Sequence, residues 1–305
     1  MASAAQPSVQ AAPAVRECRI SAVTTHVEYG LRLTSLADPP SDPRDLCPPA
    51  WRDLLPDAPT VALYFGSEFC EDRLPDADEA KAFCALARDR GLEPTLLTPL
   101  VGPAGLLLVD RLLTTLAADG CAPAVVFNDW GVLGLLRERY PSLPRRAGRL
   151  INRSLRDPRA YREAPAGSAA HDPSRFTRLR RMLADHGVTA VETDVDLDGG
   201  FLGDGRSDDG TGLGRALHVP FTFAASGRGC PLKAGLYGEG GGFAKALADR
   251  CPAPCRGRPL PVQRHDTPLP HWRGGNTLFY EIPPAVAQGW LARTDRIVVH
   301  ETAAP

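Results

Sequence analysis

The chain has 305 residues, 43% hydrophobic and 23% charged, which suits a globular protein with a sizeable core. A formal net charge of −1 argues against general nucleic-acid binding. No apolar run reaches the roughly 18 residues of a membrane helix. Met1–Val15 is rich in Ala, Pro and Ser and lacks the basic and apolar regions of a signal peptide. The expectation is a disordered tail over residues 1–17, one domain over 18–305, and a cytoplasmic location.

Short apolar runs alternate with amphipathic stretches. TVALYFG over 60–66 reads as a buried strand. Residues 76–90 read as a helix with Ala80, Phe83, Cys84 and Ala87 on one face, ended by Gly91. A strand is expected over 93–100, a helix over 104–118, and a strand over 122–128. A further helix, over 129–139, is capped by Asp129 and stopped by Pro141. Residues 155–174, rich in charge, Ala and Pro, read as a loop, and 175–186 as a basic helix ended by Gly187. Strands follow over 188–194 and 217–223. This alternation argues for a parallel sheet with helical crossovers, and a run of such units fits a TIM-barrel-like (β/α) barrel, complete or incomplete.

The pattern then changes. Residues 226–261 contain eight glycines, five prolines and three cysteines with little periodicity. A long stretch of this kind inside a compact domain is organised by something other than a core, and a bound cofactor would serve. Two short strands, 277–282 and 296–301, complete the chain.

Eight cysteines are present. A disulfide framework is not expected in a cytosolic protein of this size. Cys251 and Cys255 form a C-x3-C pair; Cys230 lies 21 residues upstream of Cys251, soon after a strand, and Cys70 also follows a strand. Parallel strands end on one rim of a barrel, so Cys70 and Cys230 can meet across 160 residues. Three readings stand on spacing alone: scattered buried thiols, a four-cysteine zinc site, or an iron–sulfur cluster. Cys18, Cys47, Cys84 and Cys121 have no partner spacing, and Cys84 reads as core.

Three segments carry a family resemblance: VALYFGSEFC, FAASGRGC and RCPAPCR. They resemble motifs of the collagenase-like peptidase family (U thirty-two), in particular its ubiquinone-biosynthesis hydroxylation branch. The chain departs from them in the extra Gly229 and the longer gap from Cys230 to Cys251. The resemblance implies a [4Fe–4S] cluster on Cys70, Cys230, Cys251 and Cys255. It implies oxygen-independent hydroxylation of a small aromatic or quinone-like molecule, with a prephenate-like oxygen donor. It also implies a heterodimer with a second protein of the same family. A non-catalytic, cluster-bearing accessory role is the alternative. Peptidase chemistry has no G-x-S-x-G, H-E-x-x-H or local Cys–His signature behind it.

Glu68, Glu192 and Asp194, at or after strand ends, are candidate acid–base groups; for Glu68 a solvated or capping role competes. Arg149, Arg153, Arg156 and Arg159 form a basic run, readable as a dicarboxylate site or as a solvated helical face. His218 inside an apolar strand reads as a hydrogen-bonded core histidine. The run Gly238–Gly242 lacks the Lys-Ser/Thr and the strand-to-helix setting of a phosphate loop.

Overall fold

The computed structural model describes residues 27–152, 157–161, 173–195, 211–238, 242, 244–245 and 249–301. The expected tail over 1–17, Cys18, Arg153, Arg156 and most of the glycine run lie outside the described residues.

Eight parallel strands close into a barrel. They are β1 (Glu28–Arg32), β2 (Thr60–Gly66), β3 (Glu93–Leu97), β4 (Ala124–Phe127), β5 (Arg145–Ala147), β6 (Val188–Thr193), β7 (Gly214–Val219) and β12 (Arg296–His300). Their order around the barrel is β1-β12-β7-β6-β5-β4-β3-β2. The barrel is therefore complete. Sequence periodicity overlooked β1 and the three-residue β5.

Alternation along each strand divides the side chains between two environments. Leu63 and Phe65 of β2, Val125 and Phe127 of β4, and Ile297 and Val299 of β12 join the large core shared with the surrounding helices. Ala62, Tyr64, Leu97, Val126, Ala216 and Val298 form a small separate cluster, the apolar part of the barrel interior. Gly30 lets the Tyr64 ring lie inside the barrel: a Cβ there would stand 2.5 Å from its Cε2.

Four crossover helices match expectation closely. Ala77–Asp89 buries Ala80, Phe83, Cys84 and Ala87, and Asp76 caps it through Glu79 N at 2.9 Å. Pro103–Ala118 and Trp130–Arg139 follow, the latter capped by Asp129, whose Oδ1 accepts from Gly131 N at 2.7 Å. Pro173–Asp185 is the basic helix.

The expected single strand over 217–223 is two strands. At Pro220, which follows a cis peptide bond, the chain leaves the barrel and begins β8 (Phe221–Ser226). β8 belongs to a second, antiparallel sheet with β9 (Leu260–Val262), β10 (His271–Gly274) and β11 (Thr277–Glu281), in the order β8-β11-β10-β9. The two C-terminal strands expected from sequence are both present but serve different sheets: β11 pairs with β8, and β12 closes the barrel between β1 and β7. The glycine-rich segment also carries some regular structure, the short helix Pro231–Gly235 and β9.

Cys84 is disulfide-bonded to Cys121, with Cα atoms 6.4 Å apart. Cys84 is buried, as its place on the apolar face suggested, but the pairing with Cys121 corrects the expectation that neither has a partner. Cys84 lies on the buried face of helix 77–89, and Cys121 lies just past the end of helix 103–118, which packs beside it. Packing of two neighbouring crossover helices, rather than sequence spacing, makes the pair. No helix among the described residues is long and apolar enough to cross a membrane.

Candidate cluster site and adjoining cavity

The barrel interior is ionic towards the ends of its strands. Glu192 accepts from Arg146 Nε at 2.5 Å and lies 2.9 Å from His218 Nε2; His218 Nδ1 is 2.7 Å from His300 Nε2. The core reading of His218 holds. Beyond this layer, at the C-terminal ends of the strands, Arg149 donates to both oxygens of Glu68 and, at 2.7 Å, to Asp194. Arg149, Glu68 and Asp194 all have 0% exposure. Neither a solvated face nor a free dicarboxylate site describes Arg149, and neither a solvated nor a capping role describes Glu68. Burial alone would push Glu68 up, but Arg149, with His218 and Arg32, outweighs it and holds the carboxyl at about 2. Glu192 is likewise held at about 2, burial being overcome by Arg146 and His218. Both are ionised near neutrality and poorly suited to giving up a proton.

An aromatic layer covers this network. Phe69, Phe221, Phe223 and Phe279 cluster together, and Phe69 packs on Phe223 at 4.9 Å and on Phe279 at 5.3 Å between ring centres. The Arg149 guanidinium lies 5.1 Å from the Phe69 ring centre. The face where barrel enzymes usually carry catalytic side chains is thus sealed by the second sheet.

The four motif cysteines are not part of that aromatic cluster. Cys70 follows β2, and its loop is pinned by Ser67 Oγ, which donates to Cys70 O at 2.7 Å. Cys230 caps helix 231–235, its sulfur accepting from Lys233 N at 3.4 Å. Cys251 Sγ accepts from Ala253 N at 3.4 Å, in a turn where Ala253 takes a left-handed φ of 51°. Burial pushes Cys70 up to about 12, and Cys255 adds to the rise. Burial also raises Cys255, with Cys230 and Cys251 contributing and Arg73 opposing. Of the four cysteines chosen from sequence, Cys70 and Cys230 line one cavity. Cys47 is buried elsewhere, in the outer core. Among the described residues, no three His, Cys, Asp or Glu side chains are gathered tightly enough for a single metal ion.

Cys70 and Cys230 line a cavity of about 680 Å³. Leu100 and Trp130, 41% and 50% exposed, contribute an apolar surface to its wall. Its polar side holds Arg228, which donates to Val101 O at 2.8 Å, and Lys233, paired with Asp72 at 2.8 Å. Glu71 also faces it and accepts from Gly102 N at 3.0 Å, at the start of helix 103–118. Sequence reasoning missed Trp130, Leu100 and Arg228. An exposed aromatic at a helix start carries no periodic signal, and only the folded rim brings it beside the cysteines.

No family model matches the chain, and no curated protein matches it. Among solved structures it is similar to the U32 peptidase Mk0906, with 13% identity over 97% of this chain and 96% of that one, at a TM-score of 0.38. It is also similar to the spore cortex-lytic enzyme SleL of Bacillus megaterium QM B1551. That match has 7% identity over 92% of this chain and 71% of that one, at a TM-score of 0.26.

Proposed function

We propose that this chain is an iron–sulfur protein whose Cys70, Cys230, Cys251 and Cys255 hold a [4Fe–4S] cluster. The adjoining cavity takes a small aromatic or quinone-like molecule. The donor chemistry fits the group: four thiols, no competing oxygen or nitrogen ligand required, and two of the sulfurs already accepting backbone N–H bonds as cluster thiolates do. The observation that carries the reading is the placement of Cys70 and Cys230 in the cavity wall. When bound, the group would supply one-electron chemistry at that wall.

The reaction proposed is oxygen-independent hydroxylation, with a prephenate-like oxygen donor, in a heterodimer with a second protein of the same family. This rests on the motif resemblance. This chain's part is to bind and orient the molecule against Trp130 and Leu100 and to hold the thiolates. The burial and ion pairing of Glu68, Glu192 and Asp194 favour a second reading, in which the partner supplies acid–base groups and this chain is the cluster-bearing accessory.

Anaerobic purification with iron and acid-labile sulfide analysis tests the cluster. About four irons and matching sulfide per chain, with broad visible absorption, are expected. Stoichiometric zinc without sulfide would overturn it. Co-expression with a second family member, followed by anaerobic size-exclusion chromatography, tests the pairing. A cluster-loaded monomer that hydroxylates alone would end the heterodimer.

A further inference from the structure

Building on the cluster reading, we infer that the Gly275–Asn276 turn is a positioning element that sets the spacing of the cysteine loops. The two residues join β10 to β11, far in sequence from Cys70 and outside all three cysteine motifs. Asn276 is 9% exposed, and its Nδ2 donates to Phe69 O at 2.7 Å and to Gly227 O at 2.6 Å. Phe69 immediately precedes Cys70, and Gly227 lies three residues before Cys230. One amide group therefore ties together two loops that are remote from each other in sequence. Its two N–H groups are both used, and its Oδ1 accepts from Thr277 Oγ1 at 3.1 Å.

Gly275 acts on the third loop. Its φ is +67°, a conformation that favours glycine, as the first position of a two-residue hairpin turn requires. A Cβ there would stand 3.1 Å from Cys255 Sγ. The absent side chain is what lets the Cys255 sulfur lie against the turn. Three of the four thiols are thus referenced to one turn. The sheet behind it is anchored by β8–β11 pairing and by Phe279 packing on Phe69. A ligand cage needs such fixed supports because a small displacement of its donors costs much of the affinity. Asn276 also lines the cavity, but the role inferred here is positioning: it acts through the backbone that leads into Cys70 and Cys230.

The test uses the full chain with Asn276→Ala, Asn276→Asp and Gly275→Ala, each compared with wild type in two preparations. In metal-free protein, a short bismaleimide and peptide mapping report how readily Cys70 is linked to Cys230 and to Cys255. In anaerobic protein, iron and sulfide are counted and the visible and EPR spectra recorded. Asn276→Asp removes both N–H donors while keeping size, so it is expected to behave like Asn276→Ala. Cross-linking between Cys70 and Cys230 should fall several-fold in both, and cluster content should fall by at least half. In Gly275→Ala the pairs involving Cys255 should be the ones affected. Far-UV circular dichroism and the melting temperature of the metal-free barrel should stay near wild type. Wild-type cross-linking yields and iron content in the Asn276 variants would overturn the inference, as would general loss of fold, which would make Asn276 a stability residue. If wild type carries no cluster but the cross-linking still falls, the positioning role stands and the cluster reading fails.

Discussion

Arg149 grips Glu68 through both carboxylate oxygens while neither side chain has any exposure to solvent. The same guanidinium binds Asp194, so one cation holds together the loop after β2 and the end of β6. Replacing it leaves two carboxylates in a closed space. Arg149→Met should cost about 3–5 kcal/mol of stability, the usual penalty for breaking a buried ion pair from one side. Chemical denaturation of the metal-free protein measures it; a loss within experimental error would mean that water reaches the carboxylates.

His300, inside the barrel, sets an acid limit. Burial lowers His300 well below its usual 6.5, and the neighbouring Arg32, His218 and Arg149 lower it further. Its folded value is depressed, so the unfolded chain takes up a proton first as pH falls below about 6.5, and stability declines from there. Glu192, held at about 2 against burial by Arg146 and His218, with Tyr64 Oη also at hand, adds a second decline between about 4.5 and 2. Urea midpoints across this range should fall in both windows. In His300→Gln the first should flatten while the second remains.

Cys84 and Cys121 are 37 residues apart in sequence. Closing a loop of that length stabilises by about 2–4 kcal/mol. Cys84→Ser should lower the denaturation free energy by that amount and leave iron content unchanged, since neither sulfur belongs to the proposed cage. Mass mapping of the unreduced protein should show the linked peptides; two free thiols in oxidised protein would contradict the pairing.

Trp130 is half exposed at the cavity and packs only loosely on Phe127, with ring centres 6.4 Å apart. Trp130→Ala should change stability by roughly 0.5 kcal/mol or less, as surface substitutions usually do. It should also weaken binding of aromatic probes at least several-fold, read by fluorescence or calorimetry. Unchanged probe affinity would place the binding surface elsewhere.

The barrel was legible because helices 77–89 and 130–139 carry aspartate caps, because helices 77–89 and 103–118 bury an apolar face, and because β2 and β4 are apolar runs. β5 escaped because its inward residue is Arg146, a charge that looks like surface until Glu192 is seen beside it. The split at Pro220 escaped because Leu217–Phe223 is mostly apolar, and only pairing partners tell that β7 and β8 belong to different sheets. The Asn276 bridge, the Phe69 layer and the cavity were not legible, since each joins residues remote in sequence.

The pairing of β8 with β11 has a consequence for how the molecule opens. Residues 227–276 leave and return through two strands that are hydrogen-bonded to each other, while β7 and β12 on either side are bonded directly to one another in the barrel. The segment is pinched off at its base, so it can unravel without breaking a barrel strand. Amide exchange should therefore divide the chain into two cooperative units. The unit from Gly227 to Asn276 should open at lower free energy than the β7–β12 seam, and limited proteolysis should nick it first. Selection could rebuild that pouch, residue by residue, while the barrel beneath went on folding as before.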